Sequence, residues 1–418
     1  TTTGNKNTAL GSAAGKANTT GCRNTFIGYS AAYKNTSGFH NVAVGTSSLY
    51  CNTTGCHNVA VGNLALKLNT TGCHNVATGF CALAANTTAC FNTAGGSCAL
   101  LNNTTASYNT AYGYRALVHT TTGCRNVGFG DGALCLNTTG CRNTAVGSHS
   151  LYCNTTAGYN TAVGYTSMFY NTTGTNNTGT GYQALYKNTT GSYNTAHGLN
   201  ALCDNTTGSR NTAVGRETLT KNTTGERNTA SGYEALQATT TGSCNTGFGN
   251  RALVTNTTGS CNVALGACAG PNTAAISNTV AIGVGATAAA TNAFVLGNTS
   301  HVVDIPSCKL TIGGSSGTNG HVLTTDGSNN ISWGSISGIA GGVTCSATNN
   351  TYAGDDAANS ITTAASDNTG FGYRTLYSVT SGDCNSGFGA YALYSNTTGN
   401  SNVALGRAAL YENTTGLR

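Results

Sequence analysis

The residues best suited to chemistry in this sequence are its cysteines, because several recur at a fixed spacing. The chain has 18 cysteines among 418 residues. If the spacing places them on adjacent β-strands, their Cα separations fall within the range of disulfides, although parallel side-chain vectors are unfavourable for the bond. Unpaired thiols that serve as small apolar side chains are the alternative. The cysteines that form this candidate disulfide or thiol ladder are Cys56, Cys73, Cys90, Cys124 and Cys141.

The cellular compartment would decide between these readings. Cysteines in a fibre fit an oxidising exterior, whereas assembly in a reducing cytosol would leave the thiols free.

Three histidines share the same spacing and raise the question of a metal site. His40, His57 and His74 recur at a constant interval along the chain, and Cys56 and Cys73 precede two of them. Histidine with cysteine is a ligand set for soft metals. Arginine fills the equivalent position in other copies of the repeat, however, which indicates an exposed polar position. We therefore expect neither a metal nor another cofactor.

Catalytic constellations are missing from the sequence. It has only 12 Asp and Glu residues, and no G-x-S-x-G motif, phosphate loop or recurrent carboxylate pair. Asp304, Asp326, Asp355 and Asp356 lie outside the repeats and have no obvious partners. The net charge of +6 is dispersed, and no apolar run approaches the length of a membrane span. We predict no enzymatic activity, no nucleic-acid partner and no membrane insertion.

These spacings all derive from one internal 17-residue repeat. Sixteen consecutive copies begin at Thr1, with the consensus N-T-T-G-x-x-N-[TV]-A-x-G-x-x-A-L-x-x. We number its positions from one to seventeen, so that Thr1 is position 1 of the first copy. Position 7 is Asn and position 11 is Gly in all sixteen copies. A repeat this regular predicts a stack of similar units rather than a conventional globular domain.

The repeat predicts an all-β fold, a β-solenoid or β-roll with one 17-residue rung per repeat. We expect two short strands per rung, turned by Gly and Asn, with Ala at position 9 and Leu at position 15 inside. Such an interior is thin, which favours association of several chains. Stacking also aligns the invariant Asn side chains in an internal ladder. Its first members are Asn7, Asn24, Asn41, Asn58, Asn75, Asn92, Asn109 and Asn126.

Two further positions could carry function. Position 1 begins N-T-T or N-T-S sequons, for example at Asn18, Asn35, Asn52 and Asn69. These asparagines could be glycosylation sites, or they could simply be turn residues. Tyrosine recurs at position 12. These side chains could form an aromatic stripe that contacts glycans, or they could be exposed aromatic residues at a strand edge. The position-12 tyrosines are Tyr29, Tyr114, Tyr165, Tyr182 and Tyr233.

The repeat phase divides the chain into five segments. Residues 1–283 form the 17-residue array, and residues 284–297 form a shorter repeat of the 14-residue β-roll type. Residues 298–340 form a knob or joint with a predicted β-hairpin, His321–Thr325 against 331–333. Residues 341–361 are predicted as a linker, and residues 362–418 as a second 17-residue array. Because both ends fall within an array, we expect the sequence to be part of a longer fibre.

Three stretches of the sequence resemble known fibre proteins. SNTVAIGVGA and NAFVLGN resemble the head repeats of trimeric autotransporter adhesins, which form left-handed parallel β-rolls in a homotrimer. The NTTGxxNTAVGxxAL array is similar to repeats of phage tail fibres and giant-virus fibre proteins, and GTNGHVLTTDGSNNISW resembles an element of phage tail fibres. The resemblance implies a parallel homotrimeric fibre.

The expected function is therefore structural. The chain would be the shaft of a virion tail or surface fibre, or of a cell-surface appendage, that projects an attachment tip. Its partners would be copies of itself and possible host-surface glycans or receptors, on the virion surface or outside the cell. The alternative is a carbohydrate-binding adhesin, which would require an aromatic-lined groove.

Overall fold

A computed structural model describes residues 3–300, 321–325, 331–335, 344–345, 349–362 and 364–416. These residues form an all-β parallel solenoid with 17-residue rungs, and no helix occurs among them. Within this described part, nothing helical is long or apolar enough to cross a membrane. The chain divides into two compact units, Thr1–Val303 and Asp304–Arg418.

Each rung of the first unit contributes one strand at positions 8 to 10. Thr or Val at position 8 and β-branched or aromatic residues at position 10 favour extended backbone, and the side chain at position 9 points inward. Eighteen strands pair in parallel in one sheet with matching registers, as in Thr144↔Thr161. The strands of this sheet are β1 (Thr8–Leu10), β2 (Thr25–Ile27), β3 (Val42–Val44), β4 (Val59–Val61), β5 (Val76–Thr78), β6 (Thr93–Gly95), β7 (Thr110–Tyr112), β8 (Val127–Phe129), β9 (Thr144–Val146), β10 (Thr161–Val163), β11 (Thr178–Thr180), β12 (Thr195–His197), β13 (Thr212–Val214), β14 (Thr229–Ser231), β15 (Thr246–Phe248), β16 (Val263–Leu265), β18 (Val280–Ile282) and β20 (Phe294–Leu296).

The prediction of two strands per rung was wrong for most of the array. A second strand occurs in the described part of this unit only at β17 (Gly270–Pro271) and β19 (Thr287–Ala288), which pair with each other. Elsewhere positions 12 to 17 form consecutive turns, because positions 14 and 15 are both buried. Neighbouring residues of a strand point to opposite faces, so a strand in the wall of the solenoid would turn one of them outward.

Left-handed backbone allows these turns to close. In the rung 137–153, Arg142, His149 and Leu151 have φ angles of 60°, 57° and 51°. The same three positions are left-handed throughout the array, although this conformation costs an ordinary residue about 1–2 kcal/mol. Bonds between rungs offset the cost, for example from the N–H of Leu151 to the carbonyl of Ser167 at 3.0 Å.

The invariant glycine at position 11 is required by close approach between rungs. Gly147 has a φ angle of 129°, and a Cβ there would lie 2.5 Å from the carbonyl oxygen of Gly164 in the next rung. Any side chain would separate the two backbones.

The interior is closed within a single chain. Alanine at positions 9 and 14 and Leu at position 15 are buried, as in Ala145, Ala133 and Leu134. The spaces between them are filled by buried asparagines, so neighbouring chains are not needed to complete the core. The thin interior is therefore not an argument for association.

Exceptions to the consensus compensate one another in volume. Phe26 replaces the small residue of position 9 and is buried, while Gly15 stands at the neighbouring Leu position. A Cβ at Gly15 would lie 2.7 Å from Cδ2 of Phe26. Likewise Gly179 faces the longer Met168, whose Cε would lie 3.0 Å from an added Cβ. The larger side chain of Phe26 is thus accommodated by a smaller partner.

The last rung of the first unit has the predicted 14-residue step. Val280 pairs with Phe294, and Ala281 pairs with Val295, so the sheet continues in parallel although the turn is shorter.

The second unit combines a hairpin with a short solenoid. Strands β21 and β22 pair antiparallel where the sequence predicts a hairpin, and the second strand extends to Ser335. The predicted turn between them, and most of the 298–340 segment, lie outside the described residues. Strand β23 pairs antiparallel with β24, and β24 to β27 pair in parallel. The strands are β21 (His321–Thr325), β22 (Ile331–Ser335), β23 (Thr344–Cys345), β24 (Thr351–Ala353), β25 (Thr369–Phe371), β26 (Ser386–Phe388) and β27 (Val403–Leu405).

The second array begins before Thr362, within the segment predicted as a linker. Thr351 pairs in parallel with Thr369, and Oδ1 of Asn350 accepts the backbone N–H of Asn368 at 2.8 Å. Gly354 also has the φ angle of position 11, at 130°. The sequence N-T-Y-A-G at 350–354 matches positions 7 to 11. This rung lacks the T-T-G turn and is one residue longer than the others, which hid it from the repeat phase.

Candidate functional site

The asparagines of position 7 form a continuous ladder inside the column. Oδ1 of Asn126 accepts the backbone N–H of Asn143 at 3.0 Å, and Nδ2 of Asn143 donates to the carbonyl of Ala157 at 2.8 Å. Asn143 is fully buried. All eight ladder residues named from the sequence make the corresponding bond to the next rung, from Asn7 to Asn24 onward. Each side chain satisfies backbone groups of the neighbouring rung, so this column holds rungs together.

A second asparagine ladder lies at position 1, where the sequence suggested only sequons or turns. Nδ2 of Asn52 donates to Oδ1 of Asn35 at 2.7 Å and to the carbonyl of Gly55 at 2.9 Å. Asn35, Asn52 and Asn69 are fully buried, so the folded array has no room for a glycan on these amides. The recurrence of Asn three residues before Gly is the sequence signal that could have identified this ladder.

Thr120 interrupts the position-1 ladder, because it lacks an amide. Oδ1 of Asn103, in the preceding rung, is buried and has no hydrogen-bond partner. The same occurs at Asn222, which precedes Thr239. These sites mark where the internal bonding is incomplete.

The ladder cysteines occupy position 5, where the side chain accepts a backbone hydrogen bond from the preceding rung. The N–H of Cys56 donates to Sγ of Cys73 at 3.1 Å, and serine does the same elsewhere, as in Ser192 to Ser209 at 3.1 Å. Sγ of Cys56 lies 2.9 Å from Sγ of Cys73, and Sγ of Cys124 lies 3.3 Å from that of Cys141. Cys90 ends the first run, and its N–H donates to Ser107. All of these cysteines are free thiols.

Burial makes several thiols poor nucleophiles. Desolvation, together with hydrogen bonding to Cys73, raises the pKa of Cys56 to about 11. Desolvation also raises the pKa of Cys203 to about 11, and it raises the pKa of Cys141. These groups stay protonated at neutral pH, and the reactive form of cysteine is the thiolate.

The three histidines belong to a stack of rings at position 6. The ring centroids of His57 and His74 lie 4.9 Å apart, and the stack continues through Phe91 to Tyr108 with spacings of 5.0 and 5.1 Å. No cluster of three metal-ligating side chains occurs among the described residues. Burial, followed by the neighbouring His74 and His40, lowers the pKa of His57. The column is an exposed aromatic stack that arginines flank, as at Arg125 over Tyr108.

The outward side of the strands, at positions 8 and 10, forms a surface that we call the strand face. In both arrays of the described chain it carries no Lys, Arg, Asp or Glu. Position 8 is Thr, Val, Ser or Phe, and position 10 is mostly aliphatic or aromatic. Phe129 and Phe248 are 40% and 43% exposed there, and Tyr112 stacks on Phe129 at 5.0 Å. Large exposed apolar stripes usually mark interaction sites.

A different face, at positions 12, 13 and 16, contains shallow grooves. The predicted position-12 tyrosines are exposed, but only Tyr165 and Tyr182 stack, at 5.8 Å. Position 16 carries stacked rings that no sequence motif indicated, for example Tyr152 on Phe169 at 5.1 Å. In the first unit a groove of about 390 Å³ is lined by Tyr29, Ser30, Ser47, Tyr50 and Lys67.

The larger groove lies in the second unit, and we call it the tyrosine groove. Its volume is about 570 Å³. Tyr377, Tyr394 and Tyr411 stack at 5.0 and 4.9 Å along its side. Of the aspartates noted from the sequence, Asp356 pairs with Arg374 at 3.1 Å at this groove, whereas Asp304 and Asp326 lie outside the described residues. The groove is lined by Arg374, Tyr391, Tyr394, Arg407, Ala408 and Tyr411.

Comparison with known proteins does not assign the chain to a family. No protein-family model matches the chain, and no curated protein matches it either.

Proposed function

We propose that the chain is a non-catalytic structural segment of a fibre, on a virion or on a cell surface, in which copies associate side by side in parallel through the strand face. The observation that carries this proposal is the absence of charged residues from that face in the described part of the chain. Although the chain as a whole is only 7% charged, the charged residues of the sixteen consecutive repeats all lie at other positions, namely 5, 6, 12, 13, 16 and 17.

The size of the strand face supports an extended interface. Eighteen strands at a spacing of ~4.8 Å and three residues at ~3.3 Å give an area of roughly 800 Å², which equals the share of each partner in a standard interface. Another copy of the chain has the same spacing between rungs, so its side chains stay in register along the whole stripe. A homotrimer is the assembly that the resemblance to autotransporter heads implies.

Charge insertion tests the interface. In Val146→Lys with Val214→Lys, two exposed strand-face residues become charged. The control, Thr139→Lys with Thr207→Lys, adds the same charge at exposed position 3 of the same two rungs. Light scattering should give the mass of three chains for the wild type and the control. The strand-face variant should shift towards the mass of a single chain while its thermal melt is retained.

Two outcomes would contradict the proposal. A monomeric wild-type chain would exclude self-association, and equal masses for the strand-face variant and the control would place the interface elsewhere. An oligomer of another number would change only the stoichiometry.

A further inference from the structure

We infer that the tyrosine groove is a binding site for an acidic saccharide, a sugar that carries a carboxylate. This inference goes beyond the structural role and provides the carbohydrate-binding alternative with a site and a ligand class. It rests on the shallow groove of about 570 Å³ in the second unit.

The charge of the groove favours an anion. Two guanidinium groups line it, Arg374 and Arg407. Arg374 is engaged by Asp356 at 3.1 Å and lies over the rings of Tyr373 and Tyr377 at 5.1 and 5.4 Å. The side chain of Arg407 is exposed and has no ion-pair or hydrogen-bond partner among the described residues. An unpaired guanidinium binds a carboxylate with two parallel hydrogen bonds.

The tyrosines favour a saccharide over a simple anion. The faces of Tyr377, Tyr394 and Tyr411 cover one another, with Tyr394 and Tyr411 only 3° from parallel, so the column presents ring edges and hydroxyls to a ligand. Tyr391 stands at 55° to Tyr394 and does not join the stack. Phenol hydroxyls both donate and accept hydrogen bonds, which suits sugar hydroxyls, and an inclined ring supplies an apolar flank.

The equivalent groove of the first unit supports the inference of an acidic-saccharide site. It occupies the same positions of the repeat, 12, 13 and 16, and also combines tyrosines, hydroxyls and a cation, here Tyr29, Tyr50, Ser47 and Lys67. It is smaller, at about 390 Å³, and has a lysine in place of the arginine pair, so we expect it to bind the same ligands more weakly.

Titration calorimetry of the full chain with matched oligosaccharides tests the inference. Sialyllactose and trigalacturonate supply a carboxylate from two different sugars, and lactose is the neutral match of the first. We expect binding of at least one acidic ligand and none of lactose. Arg407→Gln should weaken binding by about tenfold or more, the value of a charge-assisted hydrogen bond. Arg227→Gln, an exposed arginine of the first unit, should leave binding unchanged.

Each arm has an outcome that overturns the inference. Lactose binding as strong as that of sialyllactose would exclude an acidic ligand. Equal affinities for the Arg407→Gln and Arg227→Gln variants would exclude the groove. Binding of sulfated maltotriose, an anion without a carboxylate, when neither sialyllactose nor trigalacturonate binds would indicate nonspecific attraction to a cationic chain. Thermal melts and light scattering of the same samples separate these results from misfolding or loss of assembly.

Discussion

At the residue scale, buried asparagines stabilise the array together with the apolar core. The columns at positions 1 and 7 are buried except near the ends of the arrays, and most of their amides satisfy neighbouring groups, as at Asn52 and Asn143. A buried amide is costly unless its hydrogen bonds are made. Most of the array meets this condition, and the exceptions at Thr120 and Thr239 are therefore weak points.

Thr120→Asn should stabilise the protein. The new amide can donate to the unpartnered Oδ1 of Asn103 and accept from Nδ2 of Asn137, which donates to the carbonyl of Gly140 at 3.1 Å but reaches the Thr120 hydroxyl only at 3.5 Å. We expect a gain of about 1–2 kcal/mol, the cost of an unmade buried hydrogen bond. Urea unfolding measures it. Thr122→Asn, at an exposed position of the same rung, is the control and should be neutral; destabilisation by Thr120→Asn would show that the ladder cannot extend there.

The histidine stack predicts a dependence of stability on pH. The pKa of His57 is lowered in the folded protein by burial, His74 and His40, so its protonation favours the unfolded chain. The free energy of unfolding should therefore be unaffected by His57 above the ordinary histidine pKa of about 6.5, and it should decrease as pH falls below that value. NMR titration should find His57 below that value, and His74→Asn should raise it. An unchanged His57 pKa in that variant would exclude coupling between the rings.

At the element scale, the rung is the repeating structural unit. Its strand was predictable because Thr or Val, Ala and an apolar residue alternate at positions 8 to 10. The turn that replaces the second strand was not, since left-handed φ angles at bulky residues such as Leu151 have no composition signal. Only the adjacency of two buried residues, as in Ala133 and Leu134, argues against a strand there.

Deletion of a whole rung should be tolerated better than deletion of part of one. Removing residues 171–187 joins Tyr170 to Asn188, and Asn188 can then donate to Oδ1 of Asn154 as Asn171 does. Removing residues 171–178 instead takes both asparagines of one rung and shifts glycine against strand residues. Because interfaces in such arrays are roughly additive, the first variant should melt nearly as the wild type does.

Thermal melts and electron microscopy distinguish the two deletions. The whole-rung variant should be shorter by ~4.8 Å, the spacing of paired strands. Similar damage in both variants would mean that the phase of the ladders does not determine stability.

At the scale of the whole molecule, the sequence predicted the solenoid but not its surfaces. The period, the all-β class and the Asn7-type column follow from repetition. The tyrosine groove does not, because Tyr391 and Arg407 stand at different positions of successive rungs and meet only when the turns are stacked. The rung at Asn350 was likewise hidden by its greater length.

The matching registers of the sheet have one more consequence, which concerns distance. Thr144 lies opposite Thr161, and the same offset recurs through the sixteen consecutive repeats of the first unit. Two side chains at one position and n rungs apart are therefore separated by n times ~4.8 Å in the stacking direction. Inside, the residue types are constrained by packing; outside, at positions 6, 12 and 16, they vary widely. Substitutions at these outer positions can therefore place chemical groups at chosen multiples of the rung spacing.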